Sequence, residues 1–243
     1  MGIRLKIVIL TLLLNLAFFG CNSKTESNET SSTPEVEETN PKNFKLIALG
    51  DSYTIGQSVC ETCRFPAQLK DSLQARYTSS DTFNLQIIAQ TGWTTTDLKN
   101  AISSAEPLTD FDLVTLLIGV NNQYQNKPFS LYETELIELI NTAVSLVGGD
   151  TSKLIVLSIP DYAYTAFGQG RNPENISAQL ELYNAFAQSY CANNDLKYVN
   201  ITGITQEGLN NPLLVASDNL HPSALAYTKF VEQILPIALE ILD

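Results

Sequence analysis

One histidine, His221, occurs in the 243 residues of the chain. It follows an aspartate by three positions in Ser217-Asp218-Asn219-Leu220-His221-Pro222, and far upstream an apolar run ends in Gly50-Asp51-Ser52-Tyr53. A serine hydroxyl becomes a nucleophile when an imidazole takes its proton, and the imidazole needs a carboxylate to hold its tautomer. With a single imidazole available, these residues point first to hydrolytic chemistry. Each motif also has a plainer reading: Gly-Asp-Ser occurs in turns, Asp-x-x-His can be a local cap, and Asn121-Asn122 can simply end a strand.

The elements that must position these residues alternate along the chain. Phe44 to Leu49 reads as a buried strand, and Phe65-Pro66 opens a helix to about Tyr77, with proline in the permitted first turn. Asn84 to Ala89 is a second strand, followed by Thr94, Thr95 and Thr96 as cap candidates and a helix to about Ser104. Leu113 to Ile118 is a continuous apolar strand of the kind covered on both faces. Ser130 and Glu133 have capping-box spacing, and Leu136, Ile137, Ile140, Val144 and Val147 form one apolar stripe. Lys153 to Ile159 is a fourth strand, Asp161 to Pro173 a loop, Ile176 to Asn193 a helix, and Lys197 to Asn200 a short fifth strand. Ser223 to Leu242 is a last helix, expected to kink at Pro236. Strands alternating with helices imply a single flavodoxin-like three-layer α/β/α domain around a parallel five-stranded sheet. Ligands of such sheets bind beyond the carboxyl ends of the strands, and Ser52, Gly92, Asn121 and the Asp218–His221 pair all follow strands.

Taken in order, these residues resemble the SGNH (GDSL-type) serine esterase and lipase superfamily. Gly50-Asp51-Ser52-Tyr53-Thr54-Ile55-Gly56 resembles its first block, with Tyr53 in place of a frequent Leu. Thr91-Gly92-Trp93 resembles the second, Gly119-Val120-Asn121-Asn122 the third, and Asp218-Asn219-Leu220-His221-Pro222 the last. The third block usually reads Gly-x-Asn-Asp, so Asn122 departs from it. The resemblance implies that Ser52 is the nucleophile, His221 the general base and then acid, and Asp218 the orienting carboxylate. It also implies an oxyanion hole made of the Ser52 and Gly92 backbone N–H groups and the Asn121 amide. Glycine at 92 lets the backbone approach a substrate closely. Asp51 is a second candidate acid, with a structural role in the Ser52 turn as the alternative. Trp93, Tyr162, Tyr164 and Phe167 are candidates for lining an acyl or sugar pocket, with plain loop packing as the alternative.

Composition narrows the partners. The net charge is −12, from 26 acidic and 14 basic residues, which disfavours nucleic acid and anionic membrane surfaces. Residues 1–20 have a basic start, an apolar run too short to span a bilayer comfortably, and Gly20 before Cys21, which resembles a bacterial lipoprotein signal and implies Cys21 as the lipidated residue, with ordinary signal cleavage elsewhere as the alternative. Residues 21–42 are polar and acidic and read as a disordered tether, leaving 43–243 as the hydrolase domain. Cys60 and Cys63 form a C-x-x-C pair, read as a local disulfide candidate with redox or metal roles as alternatives. No second such pair and no spare histidine are available for zinc. Cys191 reads as a small buried residue.

The combined expectation is an exported, membrane-tethered, monomeric serine esterase without metal or cofactor. It would act on short acyl esters of glycans or small lipids. The rival is a catalytically silent surface lipoprotein that binds a glycan or peptide on a hydrolase scaffold.

Overall fold

The computed structural model describes residues 40–243. The expected signal segment, Cys21 and all of the tether before residue 40 lie outside the described residues. Lys42, the last residue of that expected tether, is already bound to the fold: its N–H donates to Asp81 Oδ1 at 2.8 Å and its carbonyl accepts from the Thr82 N–H at 2.9 Å.

Among the described residues, five parallel strands form one sheet: β1 (Asn43–Gly50), β2 (Thr82–Ala89), β3 (Leu113–Leu117), β4 (Leu154–Leu157) and β5 (Lys197–Val199). Their order is β2-β1-β3-β4-β5, so the chain reverses direction across the sheet between β1 and β3. β3 and β4 are buried at every position, which explains their unbroken apolar sequence. The connecting helices are α1 (Ser52–Ile55), α2 (Phe65–Gln74), α3 (Thr95–Ala105), α4 (Val120–Tyr124), α5 (Phe129–Leu146), α6 (Ala166–Gln169), α7 (Pro173–Asn193), α8 (Thr202–Gln206) and α9 (Ala224–Leu242). Right-handed crossovers put α2, with its neighbour α9, on one face and α3, α5 and α7 on the other.

Several elements differ from their sequence expectation. α5 starts at Pro128, whose carbonyl accepts from the Leu131 N–H at 3.0 Å, so Ser130 already lies inside the first turn and caps nothing. Its buried residues are Tyr132, Glu135, Leu136, Leu139, Ile140, Ala143 and Leu146, while Ile137 and Val144 sit at the margin. The expected loop from Asp161 to Pro173 contains a 3₁₀ turn at Tyr162–Tyr164 and α6, each started by a side-chain cap from Asp161 or Thr165. α9 continues through Pro236 to Leu242.

Glycine at 50 is a packing requirement at the end of β1. A Cβ there would lie 2.1 Å from Thr54 Oγ1 and 2.3 Å from the Leu117 carbonyl, so any side chain would separate β1 from β3 and lift the first turn of α1. The turn carrying Ser52 is thereby pressed onto the point where the strand order reverses.

Candidate active site

The reversal between β1 and β3 opens a crevice at the carboxyl ends of the strands, and the loops leaving those strands line it. A cavity of about 310 Å³ there is bounded by Ser52 and Tyr53 after β1, Thr91 and Gly92 after β2, and Val120, Asn121 and Tyr124 after β3. Tyr162, Phe167, Leu220 and His221 complete its wall. The structure therefore brings Ser52, Gly92, Asn121 and His221 onto one cavity.

Ser52 opens α1, where a helix leaves its first N–H groups without intrahelical partners. Asp51 caps this helix, with Oδ1 accepting from the Tyr53 N–H at 3.0 Å. Asp51 is fully buried, and that burial pushes its carboxyl up to about 7 against the opposing hydrogen bonds from the backbone of Tyr53, Asp51 and Gly119. It sits beneath the Ser52 turn and does not line the cavity, which fits its structural reading.

His221 and Asp218 are positioned by a loop that closes on itself. Val215 and Pro222 form an antiparallel bridge, the Ala216 N–H donates to the His221 carbonyl at 2.7 Å, and Asn219 takes a left-handed φ of 63° between them. α8 and a 3₁₀ turn at Pro212–Leu214 stand between β5 and this loop, so the pair does not follow β5 directly. Asp218 Oδ2 lies 2.6 Å from His221 Nδ1, and Oδ1 accepts from the Leu220 and His221 N–H groups at 3.0 and 2.9 Å. Partial burial alone would raise this carboxyl. Hydrogen bonds from the Ser58 hydroxyl and from His221 and Leu220 outweigh it and hold the group at about 2. Asp218 thus stays ionised at neutral pH, fixing the ring so that Nε2 is the nitrogen left for chemistry. The Tyr53 ring meets the imidazole edge-on, with centroids 5.8 Å apart.

Gly92 has φ 88°, a backbone state that side-chain-bearing residues rarely adopt, and the space a Cβ would enter is open. Its carbonyl accepts from Gln125 Nε2 at 3.0 Å, which anchors the peptide from α4's end. Asn121 Nδ2 donates to the Trp93 carbonyl at 3.0 Å. A carbonyl can only accept, so the amide's orientation is fixed and its second N–H is left over. The neighbour Asn122 points the other way. It is fully buried, accepts from the Thr95 N–H at 2.9 Å and donates to Thr95 Oγ1 at 2.6 Å, which ties α4 to the start of α3.

The four aromatic candidates separate. Tyr162 and Phe167 line the cavity, the Trp93 side chain packs against the core, and Tyr164 faces a different groove with Asn184, Tyr198 and Gln206. Five further wall residues are not among the candidates: Tyr53, Thr91, Val120 and Leu220 stand inside the family blocks, and Tyr124 lies three positions after Asn121 on α4, where helical spacing is an available signal. Arg171 stacks over the Phe167 and Tyr124 rings, 4.2 and 5.3 Å from their centroids, at the rim. Cys60 and Cys63 are joined as a disulfide. Cys191 is free and buried, and that burial raises its thiol to about 11. Among the described residues no group of three or more His, Cys, Asp or Glu side chains is arranged to hold a metal ion.

The family model described as GDSL-like Lipase/Acylhydrolase matches residues 48–229. A comparison with curated proteins found no match. Among solved structures, an acetylxylan esterase from Geobacillus stearothermophilus is 20% identical with a TM-score of 0.61, covering 82% of this chain and 95% of that one. A lipase/acylhydrolase from Enterococcus faecalis is 20% identical with a TM-score of 0.60, covering 79% and 94%. A member of the lipolytic G-D-S-L family from Veillonella parvula is 16% identical with a TM-score of 0.59, covering 79% and 97%. At these identities the structures share the fold.

Proposed function

Because the chain belongs to the GDSL-like lipase/acylhydrolase family, and is therefore a carboxylic ester hydrolase, we propose that it removes short acyl groups from glycans or small lipids through an acyl-serine intermediate. The observation that carries this reading is the meeting of Ser52 and the Asp218-bonded His221 on one cavity wall.

In the proposed reaction His221 takes the Ser52 proton as Oγ attacks the ester carbonyl. The resulting oxyanion is held by the Ser52 and Gly92 N–H groups and by the spare N–H of Asn121. Donors held in place before charge develops stabilise it without reorganising, and one such donor is worth about 10²–10³ in rate. The protonated His221 then gives its proton to the departing alcohol. Water, deprotonated by His221, releases the acid and restores Ser52. Asp218 remains ionised throughout and stabilises the imidazolium.

The cavity's size supports a small acyl group. At about 310 Å³ it stands at the lower end of the roughly 300–1,000 Å³ range of ligand pockets, and Val120, Tyr162, Phe167 and Leu220 make it apolar. A glycan alcohol is favoured by the open rim and by the likeness to an acetylxylan esterase. We also propose that the protein is exported and held at a membrane by a lipid on Cys21, a reading supported by the apolar run ending in Gly20-Cys21.

Aryl esters of increasing acyl length, offered to the purified chain and to Ser52→Ala, test the proposal. Hydrolysis should be greatest for the shortest acyl groups and vanish in the variant. Equal inertness of both proteins would favour the silent binding scaffold.

A further inference from the structure

The loop after α1 touches three segments of the site, those carrying Ser52, Gly92 and Asp218. α1 ends in a left-handed Gly56, and Ser58 follows at φ 69°, also left-handed although it carries a side chain. Such a residue is strained, and it persists only where its surroundings hold it. At Ser58 what the backbone gains is a single contact: its hydroxyl donates to Asp218 Oδ2 at 2.6 Å, 160 positions away in sequence. The same oxygen faces His221 Nδ1.

Around Ser58 the loop is fastened on three sides. The Gln57 N–H donates to the Ser52 carbonyl at 3.0 Å, and Thr91 Oγ1, from the loop carrying Gly92, donates to Gln57 Oε1 at 2.6 Å. Beyond Ser58 the Cys60–Cys63 disulfide closes the turn. Gln68 on α2 then donates to the Cys63 carbonyl at 2.5 Å and to the Ala224 carbonyl at 3.1 Å, so the disulfide turn is tied to the start of α9, just behind His221.

We propose that Ser58 is a positioning residue for the catalytic pair, aiming Asp218 Oδ2 at His221, and that the Cys60–Cys63 disulfide is the clasp that keeps the loop in the shape presenting it. The catalytic part rests on the triad reading above. A carboxylate this exposed has water and rotation as alternatives, and with Oδ1 engaged by two backbone N–H groups, the Ser58 hydroxyl supplies the remaining donor on Oδ2. By sharing that oxygen, Ser58 also weakens its hold on the proton of the imidazolium. Tyr53 from α1 and Asp161 and Tyr162 from the segment after β4 line a small pocket together with His221, and Ser58 takes no part in that lining.

The test uses Ser58→Gly in the full chain. Glycine accepts φ 69° freely, so the hydroxyl is removed while backbone strain is relieved. The expected result is a kcat/KM about tenfold lower, the worth of one hydrogen bond to an ionised group, with urea resistance little changed because relief of the left-handed strain offsets part of the lost hydrogen bond. Because His221 is the only histidine, its imidazole resonances can be titrated directly, and in Ser58→Gly the midpoint should move to higher pH. Ser58→Asn, which tolerates the left-handed backbone and restores an N–H donor, should recover part of the rate. Cys60→Ser with Cys63→Ser should lower kcat/KM several-fold, and adding it to Ser58→Gly should cost nothing more.

Wild-type activity together with an unmoved His221 titration in Ser58→Gly would overturn the assignment. So would a lower rate accompanied by lower stability and an unmoved titration, which marks a merely structural residue. Additive losses from the serine and cysteine changes would overturn the clasp. Loss of hydrolysis in Ser52→Ala tests the triad separately, and the imidazole titration reads Ser58 even if that triad reading fails.

Discussion

Replacing Asn122 by aspartate would install the residue that the third family block usually carries, and the structure predicts that it destabilises this protein. The Thr95 N–H can only donate, so the atom 2.9 Å from it is the Asn122 carbonyl oxygen and the atom 2.6 Å from Thr95 Oγ1 is the amide nitrogen. Thr95 Oγ1 therefore accepts from Asn122 and gives its own proton to Glu135 Oε2, 2.5 Å away. Both ends of this chain are buried, and Lys99, the cation beside Glu135, is shared with Glu138. In Asn122→Asp the ionised carboxylate offers Thr95 no donor, and two carboxylates then compete for one hydroxyl proton. The loser forfeits a hydrogen bond to an ionised group, about 1.5–3 kcal/mol. The two charges, spanned by two consecutive hydrogen bonds, lie at most about 5 Å apart and repel by about 3 kcal/mol at an effective dielectric constant of about 20. Lys99 offsets part of this, leaving a net cost of about 4 kcal/mol at about pH 8. At about pH 5 the carboxyl pair takes up a proton, which supplies the missing donor and removes the repulsion, so the deficit should shrink to about 1 kcal/mol. Urea unfolding followed by fluorescence of Trp93, the single tryptophan, measures both values. Equal stability at the higher pH, or a deficit that does not change with pH, would refute the hydrogen-bond chain.

Two further outcomes are expected. Asp51→Asn should be more stable than the wild type at about pH 8 and similar near pH 4. The raised carboxyl of folded Asp51 lets the unfolded chain release its proton first, so wild-type stability falls as pH rises from 3.8 to about 7 and is level above. That rise corresponds to about 4 kcal/mol, and unfolding free energies of both proteins across about pH 4–8 check it, a constant difference being the refuting result. Arg171→Met should raise KM about two- to fivefold with kcat little changed, since a rim cation over aromatic faces contributes about 0.5–1 kcal/mol. Steady-state kinetics on a short aryl ester reads this, and a fall in kcat with unchanged KM would count against it.

Much of the fold was legible because its signals are local. Unbroken apolar runs marked the buried strands, and their alternation with helical patterns implied a parallel sheet. Element boundaries were less legible. Ser130 and Glu133 have the right spacing for a capping box, yet Pro128 starts α5 two residues earlier and places both inside the helix. The buried face of α5 is set by its packing against β3, α3 and α7, which buries Leu139 and Ala143 and leaves Ile137 and Val144 at the margin.

The site divides in the same way. The sequence by itself determined the sole imidazole, the aspartate three residues before it that a single tight loop can hold against it, and the glycine at 92. It also determined that the oxyanion candidates follow strands. Tertiary structure alone decided which of the four candidate aromatic side chains reach the cavity, taking Tyr162 and Phe167 and leaving Trp93 and Tyr164 outside. It alone brought Ser58 to Asp218, and Asn122 to Thr95 and Glu135. Periodicity and turn chemistry act over a few residues and say which side chains share a face. Which distant loop that face meets depends on the strand order and on where the chain returns to the sheet, and no local spacing carries that information.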